Sequence, residues 1–158
     1  MLLSGLYSYQ FDGVLLPGGH GPMFDPAKDE TLASLLRDFH SERKPIGAVR
    51  HGPAGLANVK LDSGKNLVAG KEATSYSWAE EILAQQDKDV PFNLQQALSE
   101  HGSLYTAPHP RKSHVVVDGL LVKGQNLASS RDTASAFAKV LYGYRARNYL
   151  PSATSSKY

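Results

Sequence analysis

At 158 residues the chain is long enough for one domain with a real core and too short for two of ordinary size. Its 41% hydrophobic and 20% charged content is that of a folded globular protein, and a net charge of +2, with Lys and Arg scattered among Asp and Glu, gives no electrostatic case for a nucleic-acid partner. The absence of cysteine excludes disulfides, thiolate metal sites and a cysteine nucleophile; no apolar run approaches the ~20 residues of a membrane span, no secretory leader is read at Met1-Leu2-Leu3, and the expected location is cytoplasmic.

Residues 11–19 (FDGVLLPGG) predict a short buried strand, 13–17, running into a glycine turn. Apolar character on both sides suggests that this strand is central rather than at an edge. Leu32, Leu35, Leu36 and Phe39 fall at i, i+3, i+4 and i+7, a helix period, with Asp25-Pro26 as its expected N-cap and Lys44-Pro45 as its stop. A strand over 45–49 follows, then the Arg50-His51 turn and a short helix from about Pro53.

Further along, 66–76 (NLVAGKEATSY) predicts a strand, and 77–86 a helix capped by Ser77 with Glu80 and Glu81 in its first turns. Residues 90–102 predict a second short helix ending at a glycine, and 103–107 a candidate strand. Residues 114–124 (HVVVDGLLVKG) form a hairpin signal with Asp118-Gly119 at the tight turn. The last helix is expected over about 131–144, with Ala134, Phe137, Ala138 and Leu141 on one face. A single domain over 11–147 and a polar tail over 148–158 complete the division, with no repeat or linker. Strands alternating with helices give an α/β layered fold with a largely parallel sheet.

Three constellations bear on chemistry. The PGGHG stretch, 17–21, places Gly18, Gly19 and His20 after a strand, where backbone N–H groups can meet an anion or oxyanion; a plain strand-to-loop turn is the equal alternative. Arg50 and His51 sit at a strand-to-helix elbow, the position at which α/β proteins expose a nucleophile, yet arginine has no lone pair at neutral pH. Glu80 and Glu81 complement a helix dipole unless His51 reaches one of them and makes it an orienting carboxylate. An ion pair between Arg50 and Glu81 is the favoured explanation for a cation at the elbow. An alternative is a carboxylate site formed by Arg50 and the glycine-turn amides. His101, His109 and His114 lack carboxylate companions, nothing resembles HExxH, and neither a metal nor another cofactor is expected.

In order, the stretches FDGVLLPGGHGPMFD, IGAVRHGPAGL, LVAGKEATSYSWAEE, VPFNLQQAL and VVVDGLLVKGQNLASS resemble the DJ-1/PfpI superfamily, with its class I glutamine amidotransferase-like fold. The nearest branch is the chaperone and glutathione-independent glyoxalase (D-lactate dehydratase) group. The resemblance implies a flavodoxin-like three-layer sandwich with a mostly parallel sheet, lacking the first βαβ portion, plus the hairpin near the C-terminus. It puts the cysteine nucleophile on Arg50, its histidine on His51, the orienting acid on Glu81, and the oxyanion pocket on Gly18, Gly19 and His20. Residues 124–130 resemble a late loop near the site, with Lys123 where a threonine is usual.

Active relatives add the thiolate to a small 2-oxoaldehyde such as methylglyoxal and form D-lactate. Here the thiol is lost, and the glutamate at the end of the family's first strand has no counterpart, so impaired catalysis is expected. The resemblance further implies a homodimer, and a chaperone-like role toward unfolded client proteins is the alternative.

Overall fold

A computed structural model gives the fold, and the structure describes residues 3–149. Four strands form the main sheet: β1 (Val14–Leu16), β2 (Ile46–Val49), β5 (Val115–Asp118) and β6 (Leu121–Gly124), in the order β1-β2-β6-β5. β1 and β6 run parallel to β2, with Val14 opposite Ile46 and Ile46 opposite Leu121; β5 and β6 are the antiparallel hairpin, turning at Asp118 and Gly119. β3 (Glu72–Ala73) and β4 (Leu104–Tyr105) make a separate parallel pair. The α/β architecture with a mostly parallel sheet is the one the sequence implies.

The main core lies between one face of the sheet and helices α1 (Glu30–Ser41), α2 (Ala54–Ala57) and α4 (Leu94–Glu100). Leu32, Leu35, Leu36 and Phe39 of α1 all bury there, as their period requires, beside Ile46 and Ala48 of β2. α3 (Trp78–Leu83) carries the two glutamates. α5 (Ser130–Tyr149) packs on the opposite face, against β2, β5 and β6.

Four local expectations are corrected. The N-cap of α1 is Asp29, whose carboxylate accepts from the N–H groups of Thr31 and Leu32; Asp25-Pro26 instead opens a single 3-10 turn, with no side-chain cap. The strand expected over 66–76 shrinks to Glu72–Ala73. Asn66 diverts the backbone there, its amide donating to the Ala57 carbonyl and accepting from the Val68 N–H, and Gly70 turns at a positive φ of 71°. β1 is an edge strand among the described residues, and Leu15 is 39% exposed. On α5, Ala134 and Ala138 face solvent; Thr133 and Tyr144 are buried, and Phe137 and Leu141 half-buried, because the aromatic ring of Phe137 is what reaches the flat sheet surface at Gly47. The tail residues 150–158 lie outside the described residues.

Candidate active site

The elbow after β2 is sharp. Arg50 holds a left-handed backbone, φ 60°, in a region that costs a non-glycine residue on the order of 1 kcal/mol or more. Two backbone hydrogen bonds lock it: the Arg50 N–H donates to the Gly124 carbonyl and the Tyr76 N–H to the Arg50 carbonyl, at 2.9 and 2.8 Å. Gly52 passes so close to β1 that any Cβ would collide with the Leu16 carbonyl oxygen. A tight strand-to-helix elbow of this kind is where α/β folds can display a nucleophile, and the residue at its tip here is an arginine.

His51 is fully buried, and its Nε2 lies 2.6 Å from Glu81 Oε1. Burial pulls the His51 imidazole below its usual value against the opposing pull of Glu81, so the ring is neutral at pH 7. In that state Nε2–H donates to the carboxylate and Nδ1 is the basic nitrogen, which is buried and has no partner. His20 Nε2 sits 3.3 Å from the other oxygen, Glu81 Oε2, and its ring lies 4.3 Å from that of His51. The two histidines and the acid thus meet from three distant segments. Donor atoms of His20, His51 and Glu81 fall within 4.8 Å of one another, a spacing that suits a metal ion, although both carboxylate oxygens are already engaged by histidine nitrogens.

The expected Arg50–Glu81 ion pair does not form among the described residues. Instead the aliphatic stem of Arg50 lies over the glycine turn: a Cβ on Gly18 would stand 2.5 Å from Arg50 Cβ and 2.8 Å from Cδ. Gly19 turns at a positive φ of 114°. The arginine's methylenes thus pack on Gly18, whereas a Cβ on Gly19 would meet nothing within 4 Å.

Glu80, adjacent to the acid that meets the histidines, has a different duty. It is 2% exposed, and its carboxylate accepts from the Ser77 N–H and hydroxyl, the Arg111 N–H, and the side-chain amides of Gln125 and Asn126. Burial pushes the Glu80 carboxyl up, but these donors outweigh it and hold it below the usual carboxylate range. Sequence reasoning left this hub as a helix-dipole acid; the Ser77-x-x-Glu80 spacing of a capping box was the signal that could have marked it. Arg111 and Tyr76 line a cavity with Arg50; Arg111 lies outside the stretches that carry the family resemblance, and Tyr76 falls inside one with no role of its own assigned.

The described helices include none long and apolar enough to cross a membrane. The DJ-1/PfpI family matches residues 2–142 of the chain. Glutamine amidotransferase-like class 1 domain-containing protein 1 of Bos taurus is 32% identical over 128 residues, covering 81% of this chain and 58% of that protein. Glutathione-independent glyoxalase hsp3102 of Schizosaccharomyces pombe is 30% identical over 146 residues, covering 87% and 61%. Among solved structures, Rapid Encystment Protein 24 KDa of Francisella tularensis superposes with a TM-score of 0.87 at 33% identity, covering 89% of this chain and 63% of that one. The chain thus spans about three fifths of the length of these relatives.

Proposed function

The chain belongs to the DJ-1/PfpI family, and from that premise we propose that it carries a glyoxalase-type scaffold from which the thiol-dependent reaction has been lost. The observation that carries this is Arg50 at the elbow. Conversion of a 2-oxoaldehyde through a cysteine requires a thiolate to add to the aldehyde carbon, forming a C–S bond and a hemithioacetal. A guanidinium stays protonated at any ordinary pH and cannot form that bond. His51 and Glu81 still form the proton-handling pair, with Nδ1 as a free base, but no acidic thiol stands before it. Incubation with methylglyoxal is expected to give D-lactate no faster than the uncatalysed background; formation above background overturns this reading.

A second reading, a chaperone-like role, is supported by the exposed apolar side chains around the edge strand: Tyr7, Tyr9, Phe11 and Leu15 are 54%, 74%, 42% and 39% exposed. On this reading the protein suppresses the heat-induced scattering of citrate synthase, and Tyr9→Ser with Phe11→Ser reduces the suppression. Equal suppression by the double variant removes this surface from the role.

A further inference from the structure

The cavity beside the elbow carries two arginines and no free acid to match them. It encloses about 460 Å³, and its wall includes Arg50, Tyr76, Glu80, Arg111 and Leu127. Glu80 is saturated by the five donors already named, and neither guanidinium has a carboxylate within ion-pair distance among the described residues. Arg50 Nε is moreover buried with no hydrogen-bond partner. An unmatched cation at a concave site calls for an anion from outside.

The placement of the two side chains is built in. Both residues sit in the left-handed region, φ 60° for Arg50 and 61° for Arg111. Arg50 is locked by Gly124 and Tyr76, while the Arg111 N–H is held at 2.7 Å by Glu80 Oε1. Glu80 therefore sets the position of one arginine through its main chain without neutralising it. The Tyr76 ring packs at a tilt against that of His51, and its phenol stays protonated through the neutral range, so it can only lend a donor or a neutral acceptor to a ligand.

We infer that this cavity binds a small organic monocarboxylate, held between Arg50 and Arg111, with its short tail against Leu127. A guanidinium matches a planar carboxylate with two parallel N–H donors, and a volume of about 460 Å³ takes an acid of a few carbons with room for water. The site uses the residue that removes the thiol chemistry, so it depends on Arg50 being where it is and not on any turnover.

Calorimetric titration at low ionic strength with pyruvate, pyruvamide and inorganic phosphate tests it. Pyruvate is expected to bind at a single site, and pyruvamide, which has the shape without the charge, to give no signal. Arg111→Gln, at an exposed position, and Arg50→Met, which keeps the stem over Gly18, are each expected to weaken pyruvate by about tenfold or more, the scale of one lost charge-assisted contact. Unchanged pyruvate affinity in both variants overturns the inference. So does phosphate binding with pyruvate silent, which assigns the cavity to a tetrahedral oxyanion. Absence of pyruvate binding in the wild type overturns it whatever the D-lactate measurement gives, and the two proposals can therefore fail separately.

Discussion

Replacing Glu80 by alanine is expected to destabilise the protein by about 3–5 kcal/mol, the largest loss of any single substitution discussed. The carboxylate is buried and joins three segments: Ser77 at the start of α3, the Arg111 loop, and Gln125 with Asn126 after β6. Its removal takes the shared acceptor from those donors, and each buried donor left without one costs on the order of 1–3 kcal/mol. Glu80→Gln keeps the volume but turns an NH2 group toward other donors, so about half the loss should remain. Urea unfolding at pH 7 measures both. The pH dependence has a definite sign. The Glu80 carboxyl is held below its ordinary 4.5, so its contribution is fully present above that value and lost as pH falls through the lower, folded-state value. The gap between wild type and Glu80→Gln should therefore close on acidification below about pH 4.5. A gap that is absent at pH 7 overturns the role of Glu80 as the hub of these loops.

Lys123→Met is expected to act in the opposite direction, stabilising the protein by about 3 kcal/mol at pH 7. Lys123 lies on β6, is 1% exposed, and its Nζ has no hydrogen-bond partner. Burial pulls the ammonium down from 10.5 to about 8, against a smaller pull from Asp118. Asp118 is itself occupied by the Glu72 N–H and by Lys71. Because the folded-state value lies below the unfolded one, the penalty is complete below about pH 8, where both states are protonated. It is relieved as pH rises from about 8 toward 10.5, since only the unfolded chain then keeps the proton. Wild-type stability should climb between pH 8 and about 10, before tyrosines in the unfolded chain ionise. The methionine variant, close in volume, should lack that climb. A variant no more stable than wild type at pH 7 would show that the amine is not confined as described.

How far the sequence foretold these two residues depends on what each feature needed. The helix of Leu32, Leu35, Leu36 and Phe39, the hairpin at Asp118-Gly119 and the elbow at Arg50 are local patterns, and each stands where the sequence put it. The contact between His51 and Glu81 bridges thirty residues and was legible only through family resemblance. Lys123 was not legible as a buried cation. In a strand with one solvated face a lysine points outward, but β6 lies between β2 and β5 with layers on both sides, and all four of its residues are buried. The edge position of β1 was hidden for the converse reason. An apolar Val14-Leu15-Leu16 run reads as covered on both sides, whereas the structure leaves Leu15 partly open. The path of 66–76 turned on Asn66, one side chain competing with a strand ladder.

The strand order has a kinetic consequence. β6 pairs with β2 through contacts such as Ile46 with Leu121, about 75 residues apart, and it is β6 that joins the β1–β2 pair to β5. On a ribosome β1 and β2 emerge long before the strand that fills the middle of their sheet, and until then one side of β2 has only unpaired backbone to offer. Loop closure over that distance must come before the β1–β2 pair can join the hairpin, a non-local step that slows folding. The hairpin of β5 and β6, by contrast, can close on its own as soon as it is made. One of the two backbone hydrogen bonds that fix the elbow therefore forms only when the hairpin joins β2, because the carbonyl that accepts from the Arg50 N–H belongs to Gly124.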